Sequence, residues 1–143
     1  MSTKEVLSTF YVSDLYCGIY THYVTELTKG LEVTPVPLSP PAILGLLNLR
    51  GQIVTAIDMR MRLCSEPLDL TLESVGIFYR NSGSLFTFVV DRVNEILELD
   101  KNNFEPPPHG LDPVTLDFVS GVYKLPGRLL LVLDPEKLVS GIR

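Results

Sequence analysis

The chain has 143 residues, 45% of them hydrophobic and 20% charged, with a formal net charge of -5. This is the composition of an ordinary globular domain and excludes a disordered chain. The acidic balance, with no run of Lys and Arg, argues against nucleic acid as a partner, because binding phosphate takes a basic surface that displaces counterions.

Most segments alternate with period two. Val6 to Val12 reads as a strand that turns at Ser13-Asp14 into Tyr16 to Tyr20. Tyr23 to Leu27 reads as a further strand that carries a buried Val24 and a solvated Glu26. Ser39 can cap a short helix with Pro40 in its first turn, which places Ile43, Leu46 and Leu47 on one face. Gln52 to Cys64 reads as one long half-buried strand. Its odd positions are Ile53, Thr55, Ile57, Met59, Met61 and Leu63, and Gln52, Asp58, Arg60 and Arg62 lie on the other face. Val54 and Ala56 interrupt that polar face, so the strand's start is expected to be covered on both sides.

Ser65 to Leu72 reads as a linker between two halves. Val75 to Arg80 and Leu85 to Val90 form a hairpin through Asn81-Ser82-Gly83-Ser84. Ile96 to Leu99 is a short strand, and Asn102 to Pro113, with Pro106, Pro107 and Pro108, is an extended loop. Thr115 to Tyr123 is a strand that leads into Leu125-Pro126-Gly127, where Pro then Gly suits a type II turn. Arg128 to Leu133 is apolar on both faces and is expected to be central. Asp134 and Pro135 open a short helix through Leu138. Many short, closely spaced strands predict an all-β barrel or sandwich.

No secretory signal is visible in Met1 to Phe10. The longest apolar run, Leu129 to Leu133, is far short of the ~20 residues that span a bilayer, so a cytoplasmic protein with no direct membrane insertion is expected. Cys17 and Cys64 then read as free thiols in strand-like segments.

Residues that carry chemistry are sparse. His22 and His109 lack partners at metal-ligand spacing. No nucleophile elbow or phosphate loop occurs. Asp58 and Asp91 read as solvated strand ends beside Arg60 and Arg92. No catalytic, metal or cofactor residue is therefore expected. The residue that stands out is Arg50. It is placed where a helical turn hands over to a strand. Gly51 lets the backbone turn tightly there while Arg50 projects a rigid donor fork.

An ordered set of short motifs runs from about Phe10 to Val139. It comprises Val33-Thr34-Pro35-Val36-Pro37, Pro41 to Gly45, Asn48-Leu49-Arg50-Gly51, Ile57-Asp58-Met59-Arg60, Val89 to Val93, Gly121 to Leu125, and Leu129 to Asp134 before Pro135 to Val139. Together these resemble the CheW-like coupling proteins of bacterial chemotaxis. Thr55-Ala56 departs from the pattern, which often has proline and a larger aliphatic there.

The resemblance implies one domain over residues 1–143, made of two small five-stranded SH3-like barrels around a shared apolar seam, with one or two short helices. Approximate halves are 10–70 and 71–140, with end strands that cross over. No receiver, phosphotransfer or ATP-binding part is expected. The resemblance also implies a non-enzymatic adaptor without cofactor, which couples chemoreceptors to a CheA-type histidine kinase. Its partners would be the kinase's regulatory domain and the receptor's cytoplasmic tip, within membrane-associated arrays. Val24 and Glu26 would lie by the receptor groove, with Val89 and Val90 on its other side. Asn48 and Arg50 would belong to the surface that partners read. An adaptor of another CheA-based pathway, such as surface motility, is the alternative. A small oligonucleotide-binding barrel and a hydrolase are rivals of other classes.

Overall fold

In the computed structural model, residues 3–142 are described. Among them ten strands form two five-stranded sheets. In chain order these are β1 (Lys4–Val12), β2 (Leu15–Tyr20), β3 (Glu26–Lys29), β4 (Ile43–Leu49), β5 (Gln52–Asp58), β6 (Val75–Asn81), β7 (Ser84–Val90), β8 (Arg92–Asp100), β9 (Val119–Leu125) and β10 (Arg128–Leu133). Three short helices join them: α1 (Met59–Cys64), α2 (Pro113–Leu116) and α3 (Pro135–Val139). The first sheet has the order β8-β1-β2-β10-β9 and the second β3-β6-β7-β5-β4.

Each sheet curls around its own apolar interior. β8 and β9 are opposite edges of the first sheet. Yet Leu97 and Leu99 of β8 share one cluster with Tyr123 and Leu125 of β9, around Leu7, Tyr16, Leu130 and Val132. In the second sheet Leu47, Val54, Ala56, Phe78, Leu85 and Val89 form the equivalent cluster. A third cluster joins the two sheets, with Phe10, Cys17, Ile19 and Leu131 from one and Ile57, Ile77, Phe88 and Val90 from the other. Alternation along the strands explains this division. Leu130 and Val132 point into the first unit while Leu131 and Leu133 point to the seam. β10 is thus apolar on both faces because both faces are covered. It lies between β2 and β9, as a central strand should.

The two units are not the two halves of the chain. The second sheet is drawn from one unbroken stretch, β3 to β7, and the first takes β1 and β2 from the start and β8 to β10 from the end. Ser65 to Leu72 does not divide the chain. β5 and β7 pair in parallel, and a parallel pair needs a long crossover, which α1, this segment and β6 supply together. Leu68 within it is buried, and its backbone N–H donates to Asp58 Oδ2 at 2.9 Å.

Several expected elements are corrected. Gln52 to Cys64 is a strand followed by a helix, split at Asp58. The Asp58 carboxylate accepts from the Met61 N–H at 3.0 Å and so caps α1. Met59 and Leu63, four apart, satisfy a helical stripe as well as an alternating one, and both are fully buried. At the strand's start the facing is the reverse of the alternation read from the odd positions, with Ile53 62% exposed and Val54 and Ala56 at 0%. The helix after Ser39 is instead β4, whose Leu46 exchanges backbone hydrogen bonds with Thr34 on one side while the strand pairs with β5 on the other. Thr115 begins no strand, because Asp112 caps the turn of α2 and β9 starts at Val119. Ile96 to Leu99 is part of the longer β8. The β1–β2 and β6–β7 hairpins, the turn before β10 with Gly127 at φ +74, and α3 capped by Asp134 lie where the sequence places them.

Candidate functional site

The turn between β4 and β5 consists of Arg50 and Gly51, both with left-handed backbone at φ +50 and +83. Two successive left-handed residues are what a two-residue hairpin needs to match strand twist. The turn therefore joins two strands, not a helix to a strand as expected. Asn48 Oδ1 accepts from the Gly51 N–H at 2.8 Å and fastens it. A non-glycine residue held there carries a strain of about 1 kcal/mol. In return the Arg50 side chain is thrown clear of the sheet and is 75% exposed.

That guanidinium does not wave free. Arg50 Nη1 donates to Glu26 Oε1 at 2.8 Å and Nη2 to Oε2 at 3.2 Å. Thr28 Oγ1 also donates to Glu26 Oε2, at 3.0 Å. Glu26 opens β3, one edge of the second sheet, and Arg50 follows β4, the other edge. The pair spans the gap across which that sheet curls. Its hydrogen bonds with Arg50, then with Thr28, hold the Glu26 carboxyl below the ordinary carboxylate range, and Glu26 in turn raises Arg50. Nearby, Arg80 Nη2 donates to Gln52 Oε1 at 3.2 Å, and Leu27 and Ile53 show apolar surface.

The other selected residues divide. Asn48 is exposed beside the pair. Val24 lies just before β3, outside the strand, and is half-buried against the seam cluster. Val89 and Val90 are both 0% exposed, one facing the second unit's interior and the other the seam. Placing them on the partner surface is therefore corrected, since neither side chain reaches it. Their strand is covered on both faces, which their sequence alone did not reveal.

The charged positions also resolve. Asp58 is 3% exposed and caps α1, so it is not a solvated strand end. Arg60 Nε donates to Asp91 at 2.9 and 3.0 Å, and Asp91 also accepts from the Ser13 N–H. Arg92 instead covers the Tyr11 ring at 4.2 Å. His22 is exposed between the rings of Tyr20 and Tyr23, and His109 is exposed in a loop. Cys17 lies in β2 and Cys64 ends α1; both are free thiols, and burial pushes the Cys17 thiol up. Among the described residues no group of three or more His, Cys, Asp or Glu is placed to hold a metal ion. No helix among them is long and apolar enough to cross a membrane.

Between the second sheet and α3 runs an open groove of about 1030 Å³. Ile43, Thr55 and Phe86 line one side, and Asp134, Lys137 and Val139 the other.

The family model described as a CheW-like domain matches residues 7–143. The chain belongs to the CheW-like family. It is 30% identical to the chemotaxis protein CheW of Klebsiella aerogenes over 86% of this chain and 74% of that protein. It is also 30% identical to the chemotaxis protein CheW of Thermotoga maritima, over 96% of this chain and 89% of that one. The crystal structure of the scaffolding protein TtCheW from Thermoanaerobacter tengcongensis superimposes with a TM-score of 0.81. The two are 27% identical, and the match covers 91% of this chain and 88% of that chain. A CheW-like chain is a non-enzymatic scaffold, and this one is an adaptor of chemotaxis signalling. Protein FrzA of Myxococcus xanthus, 27% identical over 94% of this chain and 84% of its own length, is a further relative.

Proposed function

We propose that this adaptor couples chemoreceptors to a CheA-type histidine kinase. It holds the kinase's regulatory domain with one surface and the receptor's cytoplasmic tip with another, in the cytoplasm at membrane-associated arrays. The observation that carries the reading is the Glu26–Arg50 pair. Two residues 24 positions apart meet at one end of the second unit, one of them in a turn with left-handed backbone. An exposed ion pair adds little to stability, about 0–1 kcal/mol. Its value lies in presenting an oriented guanidinium and a carboxylate to a partner. Val24 supplies apolar area next to Glu26, and Asn48 sets the shape of the turn.

The test is two separate titrations of the purified chain, one against the kinase regulatory domain and one against the receptor tip. Saturable binding to both supports the reading, and binding to neither contradicts it. The FrzA likeness favours one second reading, an adaptor of the same build in a different CheA-based pathway. Receptors drawn from that pathway rather than from chemotaxis would then be the ones that bind.

A further inference from the structure

We infer that Arg62 is a positioning residue, which holds α3 and the segment after it in place as one side of the groove that faces the second sheet. The inference rests on the adaptor reading only for its consequence on binding. α3 has five residues, too few to persist alone. Its start is fixed by the Asp134 cap, and Leu138 and Ile142 are buried. Its last carbonyls lie beyond the regular helical ladder, although that of Lys137 also accepts from the Ser140 N–H at 3.3 Å. Arg62 donates to three carbonyls there. Nε donates to the Leu138 carbonyl at 3.0 Å, and Nη2 donates to the Lys137 carbonyl at 3.3 Å and to that of Ser140. The guanidinium carbon also lies 4.6 Å from the centre of the Phe118 ring.

The origin of each element makes this more than an ordinary helix cap. Arg62 belongs to α1, which leaves β5 of the second sheet. The carbonyls it holds follow β10 and Phe118 directly precedes β9, both strands of the first sheet. Beside it, Thr115 Oγ1 donates to the Leu63 carbonyl at 2.8 Å and makes a second tie of the same kind. One side of the groove, Ile43, Thr55 and Phe86, moves with the second sheet. The other, Asp134, Lys137 and Val139, is fastened to it through Arg62. The planar fork thereby sets the distance between the two sides. A lysine's three N–H donors radiate from a single nitrogen, so it cannot reproduce the separately placed Nε and Nη2 donors of the planar fork, nor lay a guanidinium over Phe118.

The test uses the full chain with Arg62→Ala and Arg62→Lys. Amide hydrogen exchange is followed at residues 136–142 and, as control, in β6 and β7. Affinity for the receptor tip and for the kinase regulatory domain is titrated separately. Loss of charge-assisted bonds predicts exchange at 136–142 faster by about tenfold in both variants, with β6 and β7 unchanged. Affinity for at least one partner is expected to fall several-fold. Unchanged exchange at 136–142, or an equal rise in β6 and β7, overturns the positioning role, as does failure of both variants to fold. Rescue by lysine overturns the fork argument. Faster local exchange with both affinities intact overturns the link to binding. A wild-type chain that binds neither partner contradicts the adaptor reading instead and leaves the exchange result to stand by itself.

Discussion

Glu26 and Arg50 sit on opposite edges of one sheet, yet share two hydrogen bonds of 2.8 and 3.2 Å. Flat edges of a five-stranded sheet stand roughly 19 Å apart at the usual strand spacing. The pair therefore reports the curl of the sheet directly, and it marks the end of the molecule where closure leaves charge exposed.

Replacing Arg50 should separate recognition from folding. The side chain is mostly in solvent, so Arg50→Lys and Arg50→Glu are expected to change unfolding free energy by no more than about 0.5 kcal/mol. Because the bidentate fork is lost, Arg50→Lys should already weaken a partner, and Arg50→Glu should weaken it further by repulsion with Glu26. Titration with circular dichroism as the folding control checks both. Intact affinity for both partners in the folded Glu variant reduces Arg50 to a solvated turn residue.

The pair also predicts a pH signature. The Glu26 carboxyl is held below its unfolded value by Arg50 and Thr28. Its contribution is thus fully present above the unfolded value of about pH 4.3 and is lost as pH falls through the lower folded value. The small stability difference between wild type and Glu26→Gln should be constant from neutral pH down to about pH 5 and then shrink on further acidification. Urea unfolding of both chains across that range measures it. A difference that grows in acid has the wrong sign for this account.

Asp58 carries a structural role that its charge alone did not announce. It is 3% exposed and accepts from Met61 and Leu68 backbone N–H groups. Asp58→Ala leaves two buried donors unpaired and should destabilise the fold by about 2 kcal/mol or more. Chemical denaturation decides it, and a loss near zero means that the crossover after β5 has other anchors.

Gly121 has no room for a side chain. An added Cβ would fall 2.1 Å from Phe104 Cζ, so Gly121→Ala should cost about 1–3 kcal/mol by overpacking. Phe104→Ala opens the space, and the double variant should be more stable than the sum of the two losses implies. Additive losses in the cycle would show that the two positions do not press on each other.

Much of this fold is written locally. The hairpin turns, the period-two strands and the caps of α3 depend on neighbours within a few residues, and the sequence places them correctly. What it misplaces depends on distant partners. Met59 and Leu63 fit both periods, and the cap at Asp58 marks where the helix begins. Ser39-Pro40 imitates a helix start, but Thr34 pairing with Leu46 claims the backbone for a strand. Val89 and Val90 looked available for contact until two sheets covered both faces of β7. The Glu26–Arg50 pair was unreadable because it forms only when the sheet curls. Period two makes Arg62 an outward polar residue of a strand, whereas the helix over Met59–Cys64 turns it onto the carbonyls after α3.

As an adaptor, this chain is expected to bridge two partners at once. Sedimentation of a receptor-tip fragment mixed with the kinase regulatory domain, with and without the chain, tests it most directly. The account predicts a ternary complex that forms only when the chain is present and that dissociates when Glu26→Lys replaces wild type, with thermal unfolding of that variant nearly unchanged. Binding of the two partners in strict competition, or to one alone, would contradict it.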